Sequence, residues 1–127
     1  MRRLLLWGPP ILYMAFIFHL SSESDPLPVL TQNIWDKVLH TTEYAGLAFL
    51  VARAFLGERV RILPAILLAV LLTSAYGASD EYHQSFVPLR DSDVHDWIAD
   101  TLGGSVGAIA YAGLFGFQFR RSITKAE

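Results

Sequence analysis

Cysteine is absent from this 127-residue chain, which excludes disulfides and thiolate metal ligation at the outset. Charge is scarce too: Asp, Glu, Lys and Arg make up 17% of the residues, against roughly a quarter in a soluble domain. The net charge of −2 comes with no basic stripe and no RNA-binding motif, so nucleic acid is not an expected partner. HExxH and similar compact ligand motifs are missing, and so is any internal repeat of the kind that alternating-access transporters are built from. What the chain has in abundance is apolar surface, with 53% hydrophobic residues in a length that suits one modest domain.

That apolar content is gathered into runs. The first, 4–20, follows Met1-Arg2-Arg3 and is long enough to cross a bilayer. Pro9 and Pro10 are expected to kink it or delay its start, which membrane helices tolerate. No small-x-small cleavage site follows, because the exit reads Phe18-His19-Leu20-Ser21-Ser22-Glu23, so the run is expected to stay as an anchor rather than leave as a signal peptide. A polar loop over 21–37, with Pro26 and Pro28 as breakers, leads to a second run over 38–55. Gly57 is a plausible stop for it. Pro64 suits the first turn of a third run, 62–79, and a fourth covers 97–119. The expectation is an all-α integral membrane protein: a single domain, 1–127, folded as a small bundle of four transmembrane helices.

Charge orients the bundle. With four spans, Arg2, Arg3, Arg53, Arg59, Arg61, Arg120, Arg121 and Lys125 share one side, leaving only Lys37 and Arg90 on the other. Cytoplasmic loops collect Lys and Arg, so both termini are expected in the cytoplasm, with loops 21–37 and 80–96 outside. The acids sort the opposite way: of twelve, only Glu58 and Glu127 fall inside.

The outer stretch 80–107, DEYHQSFVPLRDSDVHDWIADTLGGSVG, concentrates polar groups beside apolar helices. At the start of the second run and just before it, Asp36, His40 and either Glu43 or Tyr44 recur at helical spacing, a face that cannot look into lipid. Asp96 and Asp100 share a face above Gly103 and Gly107. That small-xxx-small pair, with Gly104 and Ala108 beside it, lets helix backbones approach closely. The second helix is the expected partner.

These residues resemble the VanZ-like family of membrane proteins, which takes its name from a teicoplanin-resistance accessory protein. The likeness rests on Asp36, Lys37, His40 and Tyr44, then on Asp80, Glu81, His83 and Gln84. It continues through Phe86, Val87, Pro88, Arg90, Asp96 and Asp100 to Thr101-Leu102-Gly103, and also takes in Phe18-His19-Leu20-Ser21-Ser22. Leu89 stands where the family has Gly, a departure that bears on the turn, since only Gly enters positive φ freely. The resemblance implies a multi-pass protein of the bacterial plasma membrane and cell envelope, with a link to glycopeptide resistance. It implies no settled reaction.

The residues themselves admit several chemistries. Asp80, Glu81, Asp96 and Asp100, joined by His83 or His40, suit a divalent cation, whose identity is open. Metal-free acid–base work by a carboxylate or His40 near the lipid surface is another reading, with Arg90 gripping a phosphate or carboxylate. In either case Asp36, His40, Glu81 and Asp96 are the candidates for chemistry. Lys37, Tyr44, Asp80, His83, Gln84, Arg90 and Asp100 are the candidates for binding. The substrate would be an envelope amphiphile, a lipid or a lipid-linked cell-wall precursor. The competing reading is a non-catalytic scaffold or binding module, in which Lys37 and Arg90 pair the acids and lock the helices together. Whether the protein is an enzyme stays open at this point.

Overall fold

The computed structural model describes the backbone of residues 1–24 and 34–124, and the side chains of these apart from 34–36 and 119–124. Four α-helices follow one another, α1 (Arg2–Ser21), α2 (Ile34–Gly57), α3 (Ile62–Gln84) and α4 (Val94–Thr124), with no strand among the described residues. The helices overrun the apolar runs. Most notably, α3 continues through Asp80, Glu81 and His83 to Gln84, and α4 starts at Val94, so the connection between them narrows to residues 85–93.

Three helices, α1, α3 and α4 as far as Gln118, are long and apolar enough to cross a membrane. At about 1.5 Å per residue the 23 residues of α3 reach roughly 35 Å, against a hydrocarbon core of about 30 Å. The fourth helix, α2, has the length but carries Lys37, His40, Glu43 and Arg53. Its position explains how it tolerates them. It packs against α4 most extensively and against α3 and α1 as well, whereas α1 touches α3 only lightly. The large exposed side chains belong mainly to the other three helices: Leu4, Ile11 and Leu12 on α1, Leu63, Leu67 and Leu71 on α3, Leu102, Val106, Ile109 and Leu114 on α4. Among the described residues of α2 only Val38 is of that kind. Its Tyr44, Leu47, Ala48, Val51, Ala52 and Leu56 instead form the buried core with Ile17, Ala65, Ala69, Ala108 and Tyr111. So broad an apolar exterior is a surface for lipid rather than water, and α2 is shielded from it.

The α2–α4 contact depends on glycine. A methyl group at Gly103 would run into the backbone carbonyl of Thr41, and one at Gly107 into that of Ala45. The seam expected from the small-residue spacing is therefore present and faces α2. Gly104 lies beside it, against Thr73 and Ala48.

Prolines 9 and 10 do not delay α1, which begins at Arg2 and runs through them. Proline has no N–H, so the Leu5 carbonyl loses the donor that residue 9 would have offered. The Nη1 of Arg53 on α2 donates to that oxygen at 3.1 Å. Close by, Arg2 donates to the carbonyl of Gly57. Helix α2 does end at Gly57, but the residue in the left-handed region is Arg59, at φ 65°. The N–H of Val60 bonds the Phe55 carbonyl at 3.1 Å and that of Arg59 bonds Leu56 at 3.0 Å, the paired bonds of a Schellman stop. Gly57 has a different task, since a methyl there would meet the side chain of Leu6 on α1.

Candidate functional site

Polar residues gather where α2, α3 and α4 meet at the end of the bundle that carries residues 85–93. His40, Asp80, Glu81, Gln84, Asp96 and Asp100 are all buried there. Their placement follows from helix periodicity: His40 and Tyr44 are one turn apart on α2, Asp80 and Gln84 on α3, Asp96 and Asp100 on α4. Each pair therefore points at the common axis. Gly77 makes the room, because a Cβ there would lie 2.9 Å from Asp100 Oδ2 and 3.3 Å from the Tyr44 ring.

Two sets of contacts divide the region. At the rim, Lys37 Nζ reaches Asp93 Oδ2 at 3.1 Å and is also paired with Asp96 Oδ1. Asp93 precedes α4 and caps it, accepting the His95 N–H at 2.9 Å. That bond, then the His95 ring, then Lys37 hold the Asp93 carboxyl well below the usual carboxylate range. The N–H of Asp93 in turn donates to Glu81 Oε2 at 2.9 Å, tying the end of α3 to the start of α4.

Deeper in, His40 Nδ1 lies 2.9 Å from Asp100 Oδ1, and Gln84 Nε2 donates to Asp80 Oδ2 at 3.3 Å. His40, Glu81 and Asp100 each offer an atom to a cluster whose members all lie within 4.8 Å of one another. The remaining atoms are not satisfied. Tyr44 Oη, Asp80 Oδ1, Glu81 Oε1, Asp100 Oδ2 and Arg90 Nε are buried and have no hydrogen-bond partner among the described residues. A buried polar group without a partner loses its hydration for nothing in return, so several in one place make this end of the bundle the candidate site.

Arg90 arrives by a tight turn. Its N–H bonds the Val87 carbonyl at 3.2 Å, with Pro88 and Leu89 between them and Leu89 at φ 65°. That is the pattern of a type II turn, which calls for positive φ at its third residue. Leucine adopts the conformation that the family's glycine would take freely, so the departure at position 89 leaves the turn in place.

His83 stands apart from the cluster. Its ring stacks on Phe18 at 4.5 Å and its Nε2 lies 3.1 Å from Ser22 Oγ, linking α3 to the end of α1. His95 is exposed and bound to Asp93 at 2.8 Å. The side chain of Asp36 lies outside the described residues. Glu43 was not singled out as a site residue by the sequence, yet it interacts electrostatically with His40, Asp80, Asp100 and Arg90. Its signal was the same helical spacing that marked Tyr44. On the lipid-facing side, Trp97 Nε1 donates to the Ser74 carbonyl at 3.0 Å and Thr101 meets Ser74 at 2.8 Å, fastening α3 to α4 outside the cluster.

Comparison with known proteins gives one finding. The model of the VanZ/LLP1 family matches residues 7–116, a stretch that takes in all of the polar cluster. No curated protein and no solved structure matches the chain.

Proposed function

Because the chain belongs to the VanZ/LLP1 family, we propose that it is a four-span protein of the bacterial plasma membrane whose outward-facing polar cluster binds the headgroup of an envelope amphiphile. In this reading α2 is the fourth span, both termini are cytoplasmic, and the ligand is a lipid or a lipid-linked cell-wall precursor. Binding such a molecule would alter the access of a glycopeptide such as teicoplanin to its target.

Arg90 carries the reading. Its Nε is buried and unpartnered among the described residues, although Asp80, Glu81 and Asp100 also have oxygens unpartnered there. Unlike Lys37, it forms no ion pair among the described residues. A guanidinium held at the mouth of a cluster with its Nε unspent suits a planar or tetrahedral anion, which it would grip through two parallel bonds. Phosphate and carboxylate are the groups that lipids and cell-wall precursors present.

The test is native mass spectrometry of the full chain in nanodiscs doped with a phosphorylated polyprenyl lipid, beside Arg90→Gln. Retention of the phosphorylated lipid by the wild type, with loss in Arg90→Gln, supports the reading. Equal retention by both overturns it. The Lys37 pairs favour a second reading, a helix-locking network without a ligand. That reading predicts that Arg90→Gln and wild type melt and bind alike, while Lys37→Met lowers the melting temperature.

A further inference from the structure

We infer that His40, Glu81 and Asp100 form a binding site for a divalent transition-metal ion of the Mn²⁺ and Zn²⁺ class, held between α2, α3 and α4.

Geometry is the first ground. One imidazole and two carboxylates converge from three helices, with ligand atoms within 4.8 Å of one another. His40 Nδ1 and Asp100 Oδ1 are 2.9 Å apart. Two neighbouring ligands each about 2.1 Å from one octahedral ion stand about 3.0 Å apart, so the spacing serves a shared ion as well as a hydrogen bond. The second ground is independent of the clustering. Asp100 is wholly buried and Glu81 is 6% exposed, yet Asp100 Oδ2 and Glu81 Oε1 have no partner among the described residues. Oxygens so placed need a proton or a cation.

Charge decides between those two. Glu43 feels Asp80 and Asp100, Asp100 feels Asp80 and Asp96, and Glu81 feels Asp96 and Asp100, with His40 near all three and Arg90 near Glu43. Lys37 is engaged at the rim by Asp93 and Asp96. A divalent ion neutralises two carboxylates at once and satisfies several lone pairs, which a single proton does not. The donor set then selects the ion. Ca²⁺ takes six to eight oxygens at about 2.3–2.6 Å, and Mg²⁺ prefers oxygen and retained water. One imidazole with two carboxylates and room for further ligands suits Mn²⁺ or Zn²⁺. An ion there also deepens the headgroup reading, resting on it for the anion that the open coordination positions would take beside Arg90.

The experiment uses the full chain, purified in detergent, stripped with a chelator and titrated with Mn²⁺ or Zn²⁺. Elemental analysis should find about one ion per chain, and Mg²⁺ in excess should fail to displace it. Pulsed electron paramagnetic resonance of the Mn²⁺ form should show coupling to one imidazole nitrogen, a signature that needs no variant. His40→Gln should abolish that coupling, and Glu81→Gln and Asp100→Asn should weaken binding by more than about tenfold. His95→Gln, at an exposed residue outside the cluster, should leave both unchanged. Metal at background level, coupling that survives His40→Gln, or a protonated-carboxyl infrared band that vanishes in Glu81→Gln would each overturn the site. Arg90→Gln separates the two ideas, since it should keep the ion while losing the phosphorylated lipid. A protein that holds the ion but never the lipid sinks the proposed function alone, and one that holds the lipid without the ion sinks this site alone.

Discussion

Leu89 is the most visible conflict between a residue and its backbone. It sits at φ 65° in the turn that delivers Arg90, and its side chain is almost fully exposed, so packing offers nothing in return. The left-handed region costs an L-residue about 1–2 kcal/mol, part of which glycine returns through its greater freedom in the unfolded chain. Leu89→Gly should therefore stabilise the protein by about 0.5–1 kcal/mol, read as a higher melting temperature in detergent with lipid binding unchanged. An unchanged or lower melting temperature would mean that the turn is held by something other than its own dihedrals. Position 89 also shows how far the sequence reached. Pro88 announces the turn and the missing glycine raises the question of its geometry, and the structure answers it with Leu89 at positive φ. Residue types likewise picked out His40, Glu81 and Asp100, because such groups are conspicuous between apolar helices. They could not separate Asp96, which pairs with Lys37, from Asp100, which does not, nor send His83 to Phe18 and Ser22. Asp96 and Asp100 share a face and differ in their depth along it, and His83 meets α1 because of how the helices pack, neither of which residue types or apolar periodicity state.

Among the elements, the α2–α4 seam was legible because close approach in lipid has a short vocabulary of small residues. Thr41 and Ala45 present their carbonyls where side chains at Gly103 and Gly107 would begin. Gly107→Leu should thus part the two helices and abolish accumulation or folded protein in detergent. A Gly107→Leu protein that melts like wild type would place the seam elsewhere. The Arg53 bond to Leu5 was not legible, since a proline's lost donor and its replacement lie on different helices. It is testable as a cycle. Arg53→Leu should cost about 1 kcal/mol, within the range of a charged hydrogen bond discounted for its exposure. In a Pro9→Ala background the cost should largely disappear, because the substituted alanine restores the donor within α1. Equal costs in both backgrounds would show that Arg53 acts through something other than that carbonyl.

At the scale of the whole molecule, the basic residues fix the expected sidedness. Reporter fusions after Arg61 and after Asp91 should report opposite sides of the membrane, with Arg61 in the cytoplasm. The same side at both positions would remove α3 as a span and end the four-span topology. A charged group alone at the bilayer centre costs about 2.5–3.5 kcal/mol on insertion scales, so in the proposed four-span topology the packing of α2 against the other helices is what makes its Glu43 bearable, with Lys37 and Arg53 near its two ends.

That shielding has a consequence for how the protein is made. The translocon meets α2 second, when α1 has emerged but α3 and α4 have not, and at that moment α2 has no neighbours to cover its polar face. In the proposed four-span topology its partitioning into lipid would therefore wait for company, with the nascent chain holding it at the protein-conducting channel until the glycines of α4 close over Thr41 and Ala45. Biogenesis would then be late and cooperative: α2 transplanted alone into a host insertion reporter should be translocated outright, whereas in the full chain it should integrate. Integration of the lone segment would mean that α2 needs no escort.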